Sequence, residues 1–100
     1  MGLYYVTTTD TFMSGWGNAE GMINRLIIEC ESIEEAETVK ENAQNRSDQK
    51  DIFIHDERPE YYVEGADLDG YVFTDDHGNS MYVQVKDKDD MPRWFEPNGF

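Results

Sequence analysis

The sequence predicts an α+β fold: an antiparallel or mixed sheet of about five strands, with one amphipathic helix packed on one face. Three observations predict it. Five short segments rich in Tyr, Val, Ile, Thr and Phe are separated by turn residues, as strands are. One stretch, opening at Ser32, carries a helix-start signal followed by apolar residues at spacings of three and four. One hundred residues make one domain with a modest core.

Residues 3–9 read as the first strand, because Leu, Tyr, Tyr, Val and three Thr follow one another without a breaker. Residues 10–21 form a loop punctuated by Gly15, Gly17 and Gly21. Residues 22–30 form the second strand, with Asn24, Leu26, Ile28 and Cys30 on one face and Arg25, Ile27 and Glu29 on the other. Ser32-Ile33-Glu34-Glu35 has the pattern of a capping box, in which Ser32 caps the helix start and Glu35 reaches back. The helix then spans residues 33–46, its apolar stripe being Ile33, Ala36, Val39 and Ala43. Residues 51–55 are a short strand around Ile52, Phe53 and Ile54, and the order strand, helix, strand predicts a right-handed crossover between parallel strands. After a long acidic connection, residues 71–75 and 80–86 form a hairpin across a His-Gly-Asn turn, with Met81, Val83 and Val85 as its core stripe. Residues 91–100, with Trp94, Phe95 and two prolines, read as a docked tail.

Twenty-two acidic residues against eight basic ones give a net charge of −14. Such a chain is repelled by nucleic acid and by anionic membranes, so direct binding to either is not expected. The charge favours a basic partner, or else reflects adaptation to high salt. Cys30 is the single cysteine, which precludes an internal disulfide and fits the cytosol. No signal peptide is expected, since neither a basic nor an apolar leader opens the chain, and no apolar run reaches membrane-spanning length.

Glu34, Glu37 and Glu41 stand three and four residues apart, which sets them in a row on one helix face with neighbours about 5–6 Å apart. Glu31 and Glu29 extend the charge at the helix start. Duplex DNA carries one charge per roughly 3.4 Å of axis on each strand, so the row is of the right order to imitate phosphates. The plainer alternative is a solvated helix face, partly balanced by Lys40 and Arg46. Phe12, Met13 and Trp16 are large apolar residues in the glycine loop. They either fold back as a lid over the core, the commoner arrangement, or stand out as an anchor for a partner. We take Trp16 and Phe12 as candidate anchors, and Glu34, Glu37, Glu41 and Glu31 as the candidate acidic contacts.

Catalysis is not expected. Cys30 shares a strand face with Leu26 and Ile28 and reads as an inert core thiol. His55 and His77 lie beside acids, and two His with one Cys do not make a zinc set. Asp67-x-Asp69-Gly70 and Asp87-x-Asp89-Asp90 open like calcium loops, but neither continues with Gly at position six and Glu at twelve. Ser14-Gly15-Trp16-Gly17 lacks the lysine of a phosphate loop and leads into a strand. No cofactor and no metal is implied.

The run YYVTTTDxFMSGWGxAE (Tyr4 to Glu20) resembles a family of small uncharacterised proteins from phages and gut metagenomes. The likeness continues through Asn24, Leu26 to Cys30, an acidic, alanine-bearing helix and Ile52-Phe53-Ile54, covering residues 4–56. The C-terminal half departs from it, being more acidic with an added hairpin. The resemblance implies a phage or prophage accessory protein and no particular activity. A looser analogy, without a shared motif, is to antirestriction proteins that mimic DNA. Together these readings lead to an expected function: binding and inhibiting a basic or nucleic-acid-binding host protein in the host cytoplasm, as a monomer or dimer. The alternatives are a virion or assembly component that self-associates and, more remotely, a small enzyme.

Overall fold

The computed structural model describes residues 3–12, 14–64 and 70–97. Five strands and one helix follow in the order β1 (Tyr4–Asp10), β2 (Ile23–Cys30), α1 (Ile33–Gln44), β3 (Gln49–His55), β4 (Tyr71–Thr74) and β5 (Ser80–Lys86). The strands form one mixed sheet in the order β3-β1-β2-β5-β4. This is the α+β arrangement expected, with α1 packed on β3, β1 and β2.

β1 lies between β2 and β3 and is antiparallel to both, so β2 and β3 run parallel to each other as the crossover requires. β5 adds to the other side of β2 in parallel, and β4 closes that side as the hairpin partner of β5. The strand after the helix starts earlier than the sequence indicates, at Gln49, and the helix stops earlier, at Gln44. One fact accounts for the hidden start of β3. Thr7 pairs with Phe53 and Thr9 with Lys50, so two steps along β1 meet three along β3. The extra residue makes a bulge, and Asp51 takes it up at φ 54°. Aspartate is among the few residues that tolerate this left-handed conformation.

Alternation of side chains then builds two cores, one on each face of the sheet. On the helix side, Val6, Leu26, Ile28 and Cys30 meet Ala36, Val39 and Ala43 of α1. The small alanines let the helix lie close to the sheet. Trp94 closes this core from the tail, at 8 % exposure, with Met91 and Phe95 beside it. Buried Asn42 ties the tail down: its Nδ2 donates to the Trp94 carbonyl at 2.8 Å and to the Glu96 carbonyl at 2.7 Å. The tail is thus held at Trp94 and Glu96, and residues 98–100 lie outside the described ones.

The second core sits on the helix-free face, where the core stripe expected of Met81, Val83 and Val85 lands, while its aromatic cover was not anticipated. Tyr5, Ile27, Val83 and Val85 form it, and Tyr61 and Tyr62 cover it from the connection after β3. Tyr62 meets Tyr5 edge-on at 6.0 Å, and Tyr71 donates its hydroxyl proton to the Tyr61 carbonyl at 2.6 Å. Two arginines hold this cover in place: Arg25 stacks 5.4 Å from the Tyr61 ring and Arg58 4.6 Å from that of Tyr62. Among the described residues no helix is long and apolar enough to cross a membrane.

Candidate interaction surface

The helix start is built by local chemistry. Ser32 Oγ accepts from the Glu35 amide at 3.1 Å, and a Glu35 carboxylate oxygen accepts from the Glu31 amide at 2.8 Å. The capping box thus closes one residue further out than its usual form. Lys88, from the turn after β5, bridges Glu35 and Glu31, the latter at 3.5 Å. Burial works upward on the Glu35 carboxyl. The Lys88 ammonium and the Glu31 amide outweigh it, and its pKa lies below the usual carboxylate range. Asp87 accepts from the amides of Asp89 and Asp90, which shapes this acidic turn by backbone bonds. Leu3, Glu29, Glu31, Asp87, Lys88 and Asp89 line a cleft of about 320 Å³ between the two elements.

Glu34, Glu37 and Glu41 all lie exposed, turned away from the buried Ala36, Val39 and Ala43. Among the described residues none of the three makes an ion pair. The balancing role expected of Arg46 is corrected. It forms a two-pronged pair with Asp48, both contacts at 3.0 Å, and stacks 5.4 Å from the Trp94 ring. Lys40, on α1 itself, makes no ion pair among the described residues. The structure therefore sorts the four acidic candidates into two sets. Glu34, Glu37 and Glu41 have no ion-pair partner among the described residues, while Glu31 shares the ammonium of Lys88.

The glycine loop presents its aromatics outward. Phe12 is 72 % exposed and Trp16 71 %, so the lid arrangement is not what the chain adopts. The loop holds them there through its own bonds. The Thr11 amide donates to the Asp48 carbonyl at 2.7 Å, and the Phe12 amide to the Asp10 carboxylate at 3.0 Å. Ser14 Oγ donates to the Asp10 carbonyl and accepts from the Asn24 amide. Gly15, at φ 82°, closes the loop through its amide on the Met22 carbonyl at 2.9 Å, a conformation other residues resist. A turn of 3₁₀ helix at Gly17–Ala19 then plugs Ala19 into the body at 2 % exposure. Ile23, at the start of β2, adds a third exposed apolar side chain at this end of the sheet. Met13 lies outside the described residues.

The remaining polar candidates are accounted for. Cys30 is fully buried, and burial, followed by the nearby Glu35 carboxylate, pushes its thiol pKa up to about 12. His55 Nε2 lies 2.9 Å from Thr7 Oγ1 across the β1–β3 pair. His77 sits exposed in the β4–β5 turn, its amide donating to Asp75. Asp67 and Asp69 lie outside the described residues. Sequence reasoning missed the aromatic cover of the second core, for which the Tyr61-Tyr62 doublet was the available signal. Comparison with family models, with curated proteins and with solved structures finds no match.

Proposed function

We propose that this chain acts by binding another protein rather than by catalysis, as a phage-type accessory factor that inhibits a basic, nucleic-acid-binding host protein. The observation that carries the reading is the outward placement of Phe12 and Trp16 on a loop braced by its own hydrogen bonds. Large aromatics presented on a braced loop favour association, because little backbone freedom remains to be lost on binding. The unneutralised row of Glu34, Glu37 and Glu41 supplies the second half: a line of charge suited to a groove that normally holds phosphates. The row speeds encounter and the aromatics lengthen residence. Likeness to small phage proteins in residues 4–56 supports only the accessory-protein part of this reading; the anti-defence role rests on the acidic row and the exposed aromatics.

The test is affinity capture from host lysate at low and high salt, followed by kinetics with the captured protein. A nucleic-acid-binding protein held at low salt and released at high salt is the expected result. Reversal of Glu34, Glu37 and Glu41 to Lys lowers the association rate by roughly tenfold or more. Trp16→Ala speeds dissociation by roughly thirtyfold. Unchanged association after the triple reversal removes the mimicry reading, and recovery of the bait alone removes the whole proposal.

A second reading has its own observation. β3 is an edge strand whose Phe53 is 56 % exposed, and open apolar edges pair with further chains. Self-association through that edge, as in an assembly component, gives a dimer or larger species on sizing chromatography that Phe53→Lys dissolves.

A further inference from the structure

The eight basic residues of this chain sit among twenty-two acids, so each is expected to find a carboxylate. Arg46, Arg58 and Lys88 do. Arg25 and Lys50 make no ion pair among the described residues, and yet they line the same cleft. The strand register explains how they come together. Thr9 on β1 pairs with Lys50 on β3 and with Arg25 on β2, so the three stand in one row across neighbouring strands on the helix-free face. Two strand spacings separate Arg25 from Lys50, roughly 10 Å at the backbone, which both long side chains can span toward a point above Thr9.

The cleft has a volume of about 240 Å³, with Thr11, Ser14 and Asp51 on its rim beside these three. Arg25 is held rigidly: its guanidinium lies against the Tyr61 ring, donates to Thr9 Oγ1 at 2.8 Å and reaches the Tyr61 hydroxyl at 3.3 Å. Thr9 Oγ1 accepts that bond, which leaves its own proton to donate. Arg25 Nε is buried and has no partner among the described residues. Nε itself is closed to the cleft, so an anion would meet the guanidinium at its terminal nitrogens, and a guanidinium without an ion pair stabilises a nearby anion. The bulge at Asp51 is what shifts the register of β3 and puts Lys50 opposite Thr9.

We propose that this cleft binds a compact oxyanion, a phosphoryl or carboxylate group, received by Arg25, Lys50 and the Thr9 hydroxyl. The site lies on the face opposite α1 and is independent of the acidic row. Lys40 also makes no ion pair among the described residues; what sets this site apart is that Arg25 and Lys50 line one cleft together with the Thr9 hydroxyl, against the single carboxylate of Asp51.

The test is a two-dimensional NMR titration of the full chain with inorganic phosphate and, separately, with acetate, at ionic strength held constant with chloride. Saturable shifts at millimolar anion, confined to Thr9, Ser14, Arg25 and Lys50 and including the Arg25 Nε–H, are expected. Saturation by phosphate alone marks a phosphoryl site, and saturation by acetate as well marks a general carboxylate-binding one. Lys50→Gln, an exposed change that leaves the Tyr61 cover intact, weakens binding roughly tenfold, and Arg25→Gln abolishes it. Shifts that fail to saturate with both anions, shifts spread evenly over all basic residues, or a Lys50→Gln protein that binds as tightly as the parent each overturn the proposal.

Discussion

Asn42 is the side chain whose removal should reveal how the tail is held. Its amide nitrogen donates at 2.8 and 2.7 Å to the carbonyls of Trp94 and Glu96, and the residue itself is 2 % exposed. Asn42→Ala deletes both bonds and leaves the Trp94 carbonyl in a dry site. A net hydrogen bond contributes about 0.5–1.5 kcal/mol, and a buried group left without a partner costs about 1–3 kcal/mol. The Trp94 bond is fully buried and belongs to the upper range, while the Glu96 bond is partly buried and belongs to the lower. The sum is about 2–3 kcal/mol, a large share of the roughly 5–15 kcal/mol that holds a domain together. Thermal unfolding then shifts down by roughly 10–20 °C for a domain of this size. Urea unfolding followed by circular dichroism gives the free energy. Fluorescence in a Trp16→Phe background isolates Trp94 and reports whether the tail leaves the core, since the exposed Trp16 would otherwise mask it. Asn42→Asp should be worse than alanine near neutral pH, because a carboxylate then faces two carbonyl oxygens, and should improve as the pH drops and the carboxylate protonates. A loss below about 0.5 kcal/mol with unshifted Trp94 emission would refute the reasoning, as would an aspartate variant more stable than the alanine one.

Three further outcomes follow from the same structure. Glu37→Gln relieves repulsion with Glu34 and Glu41 together, and should stabilise the protein by about 0.4–1 kcal/mol at low salt, fading as salt is added; destabilisation would mean that the row is neutralised in solution. The Cys30 thiol, pushed from 9.0 to about 12, should resist alkylation at mild alkaline pH until the chain is unfolded. Because its folded pKa is the higher one, its contribution to stability is complete below the unfolded value and is lost as pH climbs from there toward about 12; Cys30→Ala should flatten that alkaline decline, and an unchanged slope would sink the assignment. Asp51→Val places a β-branched residue at φ 54° and should cost about 1–2 kcal/mol, while Asp51→Gly stays within about 0.5 kcal/mol of the parent. Equal stability of the two would show that the bulge relaxes.

Elements with a strong periodic signal were legible in the sequence, and those whose structure depends on distant partners were not. β2 and α1 alternate or repeat cleanly, and their buried faces are the ones the spacing indicates. The start of β3 was hidden because Gln49, Lys50 and Asp51 are polar and the bulge breaks their alternation. The cover of the second core escaped notice because Tyr61 and Tyr62 lie in an acidic, proline-containing stretch without a period, where only the fold supplies their partners. The two tryptophans show the limit most directly. Trp94 has Met91 and Phe95 at helical spacing and is drawn into a core. Trp16 also has apolar residues three and four positions away, Met13 and Phe12, yet it stands between two glycines in a loop and remains in water, so spacing alone did not separate the two cases. Arg46 had been set against the acidic row by its place near the helix end. Its actual partners are Asp48, two residues along, and Trp94, far along the chain.

Strand parity keeps two of the cations away from the acidic row. Arg25 and Lys50 stand on strand positions whose side chains point away from α1, so the body of the sheet lies between them and Glu34, Glu37 and Glu41. Arg46, Arg58 and Lys88 are each engaged with other acids. A slip of β2 by one residue would turn Arg25 toward the helix and Leu26 toward the opposite face, which the burial of Leu26, Ile28 and Cys30 against α1 forbids. The same apolar alternation that builds the core therefore sets Arg25 and Lys50 apart from the row, and Lys40 alone of the cations lies on α1 with it. Because the row residues pack against nothing buried, their reversal should leave the unfolding free energy nearly unchanged while altering partner association. Loss of binding together with loss of folding would instead mean that the row supports the helix.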